Sequence, residues 1–181
     1  MRCCQSTKLP KIWLMSDPRF GARLYPSIQK LPIGSGVIMR HYDDPNHTEI
    51  FDQIASLCRR RGHLLLYAGK EHPKAQGIYW SKPPKQQQKH HCKARNGLNN
   101  ISVHNAAEMQ RALLFAPDLI LLSPIFATRS HVGDRAIGPS GLLRLSQISN
   151  IPIAALGGMN KKRSAMLRYT HGFAAIDGLM D

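Results

Sequence analysis

The sequence predicts an α/β fold in which eight parallel strands close into a barrel and alternate with helices. Short apolar runs rich in branched side chains recur along the chain and end in small or polar residues, as expected for strands buried on both faces. Helical patterns separate several of these runs, which is typical of parallel β-α-β units. An open, doubly wound sheet is the alternative, but no Gly-x-Gly-x-x-Gly follows the first strand. The prediction is therefore a (β/α)8 TIM barrel formed as one domain by residues 1–181.

The runs define the strands and helices in order. The predicted strands are Lys11–Met15, Val37–Arg40, His63–Tyr67, Gly77–Trp80, Asn100–Val103, Leu119–Leu122, Ile151–Leu156 and Phe173–Ile176. One predicted helix follows a cap at Asn46 or Thr48 and runs to Arg61, and a second follows a cap at Asn105. Two more cover Pro139–Ile148 and Lys161–Arg168. Little chain remains after the eighth strand, so the last outer helix is expected to be short or missing. The seam would then be covered by the N-terminal segment or by a partner chain, as in a homo-oligomer.

The charge of the chain favours anionic ligands. Twenty-five Lys and Arg face eleven acids, giving a net charge of +14 and a pI near 10.1. Charge alone does not choose among phosphate metabolites, nucleic acid and membrane headgroups. The excess is concentrated in Lys82–Arg95 (residues 82–95), which contains no acid. A solvated helix is favoured there over an RNA-binding arm, because no aromatic residue lies between Trp80 and Phe115 to stack on a base.

Other sequence features exclude several classes of protein. No apolar run approaches the ~20 residues needed to span a bilayer, and the N-terminus lacks the apolar core of a signal peptide. The cysteines, Cys3, Cys4, Cys58 and Cys92, show no metal-ligand spacing, so reduced thiols in a cytoplasmic protein are expected. No cofactor and no metal site are predicted.

A phosphate site is predicted at Gly157 and Gly158. They lie between a buried strand and a helix, at the end of the seventh strand, where this fold often holds phosphate. Glycine lets the backbone approach an anion closely. The alternative is a tight turn with no ligand.

Polar residues at other strand ends complete the predicted site. Arg40 ends the second strand, and His104 directly follows the fifth, where an imidazole can transfer protons near neutral pH. A structural hydrogen-bonding role for this histidine is the alternative. The loop after the sixth strand supplies hydroxyl and imidazole groups that could complete an oxyanion shell, namely Ser123, Thr128, Ser130 and His131.

These motifs together resemble the thiamine phosphate synthase and TenI superfamily. The residues that carry the resemblance are Ser123–Gly133 with Gly138 and Leu142, Ile151–Met159, Ile101–Asn105 with Glu108, and Leu14–Arg19. The resemblance is dense over residues 101–158 and faint over residues 31–95.

The resemblance implies a (β/α)8 barrel and a role in thiamine biosynthesis. The synthase joins a pyrimidine methyl pyrophosphate to a thiazole phosphate with Mg²⁺ on the pyrophosphate. TenI-like members include a tautomerase that moves protons on a thiazole carboxylate phosphate without a metal. Carried over to this chain, Gly157 and Gly158 hold the thiazole phosphate, Thr128, Ser130 and His131 line the opposite loop, and His104 falls at the position of the tautomerase's catalytic histidine.

The first half departs from the synthase pattern. Of the family's Gln-x-Arg-x-Lys on the second strand, only the arginine is retained, as Arg40. Tyr67–Ala68 replaces the Asn-Asp that ends the family's third strand, and Lys82–Pro84 replaces the Gln-x-Asp after its fourth. Both expected metal carboxylates are therefore absent, and Asp177 follows the eighth strand where the family has small residues. We expect a metal-free protein that binds a phosphorylated heterocycle. It is either a tautomerase-like enzyme or a catalytically degenerate member, so the expectation leaves open whether it is an enzyme. An active synthase, and a noncatalytic regulatory or nucleic-acid-binding barrel that uses residues 82–95, remain the alternatives.

Overall fold

Eight parallel strands close into a barrel in the order of the chain, and β8 pairs with β1. This is a computed structural model, and it describes residues 8–40, 44–85, 97–128 and 135–180. The strands are β1 (Ile12–Met15), β2 (Gly36–Met39), β3 (Leu64–Ala68), β4 (Gly77–Trp80), β5 (Leu98–Val103), β6 (Leu119–Leu122), β7 (Ile153–Ala155) and β8 (Gly172–Ala175). The predicted (β/α)8 fold is confirmed.

Helices connect most of the strands on the outside of the barrel. They are α1 (Leu24–Lys30), α2 (His47–Arg61), α3 (Ala106–Leu113), α4 (Gly138–Ser146) and α5 (Lys161–Ala165), with 3₁₀ segments at Pro18–Arg23 and Asp177–Leu179. Gly62 ends α2 in the left-handed conformation, at φ 65°. The short 3₁₀ segment is the helical element that follows β8 in the described residues, as expected for a short or missing last helix. None of the helices in the described ranges is long and apolar enough to cross a membrane.

Alternate residues of each strand build two separate cores. One set fills the barrel, with Trp13, Met15 and Leu121 among its fully buried members. The other set, which includes Leu14 and Ile120, packs beneath the helices. Trp13 fits inside the barrel only because its neighbour is glycine: a methyl group at Gly36 would lie 2.0 Å from the indole Cε3.

The connection from β3 to β4 has no helix and is closed by an aromatic cluster instead. The ring of His72 lies 3.8 Å from the ring of Phe51 on α2, and Tyr67 meets Phe51 edge to face at 5.2 Å. Lys74 and Asp52 form an ion pair of 2.6 Å that joins the same connection to α2. The side chains of this connection cover part of the apolar surface that a helix would cover.

Part of the predicted site lies outside the described residues. Ser130 and His131 belong to it, as does most of the basic segment 82–95. Their proposed roles stay predictions.

Candidate functional site

A cavity of about 440 Å³ opens at the carboxyl ends of the barrel strands. This is the end at which barrels of this kind bind their ligands. The predicted site residues on its wall are Arg40, His104, Ser123, Thr128 and Gly157. They come from different strands, so the closed barrel brings together residues that are far apart in the sequence.

His104 is paired with Glu108. The Oε2 atom of Glu108 accepts the backbone N–H of His104 at 2.8 Å and lies 2.8 Å from Nδ1 of its ring. Both side chains border the cavity and are partly buried, with 25% and 15% of their surface exposed. Asn105 caps α3 by accepting the Glu108 amide at 2.9 Å. The predicted cap is therefore present, but the glutamate bonds to His104 and not to the capping residue as in a usual capping box.

Tyr79 and Ser102 line the inner part of the same cavity. Their hydroxyl groups are 2.8 Å apart, and both residues are almost fully buried. Ser102 on β5 precedes His104 by two residues, and both side chains border the cavity. Ser102 is not among the predicted site residues.

Arg40 is fixed on the wall by the end of β1. Its Nε donates to the carbonyl of Ser16 at 3.2 Å, and its backbone N–H donates to the Ser16 hydroxyl at 2.9 Å. Its guanidinium lies 3.6 Å from the carboxylate of Asp17. Asp17 in turn accepts two side-chain hydrogen bonds from Arg19, and the donors of Arg19 hold the pKa of this aspartate below its usual range. Asp17 thus acts as a cap and ion-pair partner.

Gly157 and Gly158 form a turn packed tightly against the loop after β6. Their φ angles are 89° and 60°, and a methyl group would lie 2.7 Å from Cα of Pro124 at Gly157 and 2.6 Å from the Ala127 carbonyl at Gly158. The close packing is in itself a structural reason for both glycines.

The carbonyls of this turn face the neighbouring loop. Leu156 O accepts from Ile125 N at 2.8 Å, and Gly157 O accepts from Phe126 N at 3.1 Å. The carbonyl of Gly158 accepts from the Arg163 guanidinium. Because the C=O and the following N–H of a trans peptide point in opposite directions, the amides of Gly157 and Gly158 point away from the β6 loop.

The helix that follows, α5, offers fewer free backbone amides to an anion than the sequence suggests. α5 has five residues, and the Asn160 side chain accepts the Arg163 amide at 2.8 Å. One of its first-turn donors is therefore already bonded. Of the two predicted glycines, Gly157 is the one that lines the cavity.

The charged groups on the described cavity wall are mainly basic. Arg40, Lys82 and His104 supply basic groups, and Glu108 supplies the carboxylate. Ile176 reaches the wall and its neighbour Asp177 does not line it. Asp177 instead raises the pKa of Arg19 by its negative charge, after the larger effect of Asp17.

The fold and the cavity define a class of protein: a (β/α)8 barrel with a basic ligand cavity at the carboxyl ends of its strands. A sequence model of the family described as "Thiamine monophosphate synthase" matches residues 84–179, just over half of the chain. The chain belongs to the thiamine phosphate synthase/TenI family.

Individual relatives agree with this assignment. The thiamine-phosphate synthase of Prochlorococcus marinus subsp. pastoris is 24% identical over 184 aligned residues, which cover 94% of this chain and 51% of the relative. That of Chloroflexus aurantiacus is 38% identical over 88 residues, covering 47% of this chain and 41% of the relative. The chain thus spans about half the length, or less, of these curated relatives.

A solved structure supports the fold. Thiamine phosphate pyrophosphorylase from Pyrococcus furiosus superposes with a TM-score of 0.75 at 20% identity, covering 94% of this chain and 87% of that one.

Proposed function

We propose that this protein binds a thiazole phosphate, or a similar phosphorylated heterocycle, and moves a proton on its ring without a metal, as a tautomerase-like member of the family. The observation that carries the proposal is that His104, Arg40 and Gly157 border one cavity. A proton-transfer group and an anion-binding surface are thus within reach of one small ligand.

The phosphate would bind on the part of the cavity wall formed by Gly157, with hydroxyl groups of the β6 loop as a second set of donors. The amides of Gly157 and Gly158 point away from the β6 loop, and Thr128 and Ser123 line the same cavity. Amides and hydroxyls are the donors that phosphate oxygens accept. Arg40 supplies a guanidinium, which can donate two parallel hydrogen bonds to a phosphate.

The reaction would be a proton shuttle. The imidazole of His104 takes a proton from one ring position of the bound heterocycle, and the resulting imidazolium returns a proton to another position. Atoms and charge balance within the ligand and the one side chain. Tyr79 and Ser102, deeper in the cavity, bound the space in which the ring lies.

The described residues do not fit a Mg²⁺ site of the synthase type. Mg²⁺ requires oxygen ligands in octahedral geometry, usually with one or two carboxylates. On the described part of the cavity wall the carboxylate is Glu108, and its Oε2 already bonds to His104. Within the described ranges no group of three or more His, Cys, Asp or Glu residues is placed to hold a metal.

The proposal is tested by thermal denaturation followed by an activity assay. Thiazole phosphate in EDTA should raise the melting temperature, and adding Mg²⁺ with the pyrimidine pyrophosphate should change it little further. The variant His104→Ala should lose turnover of a thiazole carboxylate phosphate and keep its affinity for the ligand. Robust formation of thiamine phosphate by the wild-type chain would contradict the metal-free proposal and support an active synthase.

A further inference from the structure

Glu108 receives two hydrogen bonds from His104 on one oxygen atom. The Oε2 atom lies 2.8 Å from the backbone nitrogen of His104 and 2.8 Å from Nδ1 of its ring. We propose that Glu108 is a positioning residue that keeps the ring proton on Nδ1 and leaves Nε2 as the atom that exchanges protons with the ligand. The inference rests on the proposed function, because it assigns the reacting atom of the same histidine.

An ionised carboxylate has only acceptor oxygens, and this fixes the direction of the ring bond. A backbone N–H can only donate, so Oε2 must accept from it. A carboxylate oxygen in that position is also an acceptor towards the ring, which places a hydrogen on Nδ1. In the neutral imidazole one nitrogen then carries the hydrogen and the other accepts, so Nε2 becomes the basic atom.

The two anchors also fix the orientation of the ring. Glu108 lies in the first turn of α3, and its backbone amide donates to the Asn105 side chain at 2.9 Å. His104 follows β5 directly, and its own backbone is tied to the same carboxylate. Rotation of the ring away from Glu108 would break the Nδ1 bond, so the strand end and the first turn of α3 together set the direction of Nε2.

Arg111 has a minor part in this arrangement. Its Nη2 lies 3.9 Å from the other oxygen of Glu108, and its side chain is 59% exposed. An exposed pair at this distance adds little. The contact of Glu108 with the ring is therefore made by Oε2.

The structural alternative is that Glu108 serves only to end β5 and begin α3. The variants Glu108→Ala and Asn105→Ala separate the two roles. Asn105→Ala removes the cap and should lower the melting temperature, but it leaves the carboxylate beside the ring. Glu108→Ala removes the contact with the ring and the contact with the backbone.

The tautomer is read directly by long-range ¹H–¹⁵N correlation spectra of the histidine rings, with His104→Gln used to assign the His104 signals. The wild type and Asn105→Ala should show the Nδ1–H tautomer, and Glu108→Ala should shift towards the Nε2–H form. Turnover in Glu108→Ala should fall about ten- to a hundred-fold, mainly in kcat with little change in KM. Glu108→Gln keeps a neutral acceptor oxygen. Its tautomer population and its turnover should lie between those of the wild type and those of Glu108→Ala.

An Nδ1–H tautomer that persists in Glu108→Ala, or a wild-type ring with its hydrogen on Nε2, would overturn the assignment. The spectra need no substrate. Absent turnover in the wild type would therefore count against the proposed function, and the tautomer result would still decide the role of Glu108.

Discussion

Tyr79 and Ser102 share a hydrogen bond of 2.8 Å inside the barrel, from neighbouring strands β4 and β5. The tyrosine stands in the segment that departs from the family pattern, and the serine stands in the segment that follows it. The bond therefore links, at the inner wall of the cavity, the half of the chain that departs from the family motifs to the half that retains them.

The Tyr79–Ser102 bond should couple the two residues in stability. Tyr79→Phe removes one hydroxyl and leaves the other without this partner, so we expect a loss of about 1 kcal/mol in the free energy of unfolding. Ser102→Ala should cost a similar amount, and the double variant should cost clearly less than the sum of the two. Urea unfolding of the four proteins measures the coupling; additive losses would mean that the bond contributes nothing.

The packing of Gly157 should make it intolerant of any side chain. Gly157→Ala combines a φ of 89° with a methyl group 2.7 Å from Pro124, so the unfolding free energy should fall by more than the ~1–3 kcal/mol expected of backbone strain alone. Gly34→Ala is the matched control, because Gly34 has a φ of 78° and open space within 4 Å. Equal losses in the two variants, measured by chemical denaturation, would show that the close approach to Pro124 is unimportant.

Arg40 should contribute directly to anion binding. Arg40→Met removes the guanidinium from the cavity wall, and the lost charged hydrogen bond should weaken thiazole phosphate binding about ten- to a hundred-fold. Arg19→Met is the control, since Arg19 bonds to the same Asp17 but does not line the cavity. Calorimetric titration of both variants compares them. A similar loss in each would indicate that the Asp17 network as a whole, and not Arg40, matters for binding.

Two histidines should make the protein less stable in mild acid. Burial lowers the pKa of His63, and it also lowers the pKa of His72, both below the ordinary histidine value of about 6.5. The unfolded chain then binds more protons than the folded one as the pH falls below about 6.5, so the stability is full above that pH and declines beneath it.

The variant His72→Phe tests this assignment. It keeps a ring against Phe51 and removes one titrating group, so the fall in melting temperature between pH 7.5 and 5.5 should be smaller than in the wild type. An unchanged pH dependence would rule out His72 as a source of the lower stability in mild acid.

Much of the fold follows from the sequence because strand patterns are local. The run at Leu119–Leu122 and the left-handed Gly62 are each explained by neighbouring residues, and both lie where the sequence predicts. The connection from β3 to β4 is different. The contact of His72 with Phe51 joins residues from separate elements, and no local pattern indicates it.

The site was predicted less completely for the same reason. His104 and Gly157 are recognisable in the sequence as strand-end residues, but the pairing of Glu108 with the ring of His104 is not. The polar inner side of β5 was also missed. Its Asn100 is fully buried, and neither of its side-chain polar atoms has a hydrogen-bond partner among the residues the structure describes. A polar residue inside an apolar barrel shows no periodic signal that distinguishes it from a surface position.

The most direct measurement is an NMR titration of the ¹⁵N-labelled protein with thiazole phosphate in EDTA. The account predicts saturable shifts of the Gly157 and Gly158 amides together with His104. Shifts confined to Gly178, which lines a separate pocket with Lys30, Lys161 and Lys162, or shifts that require Mg²⁺, would contradict it.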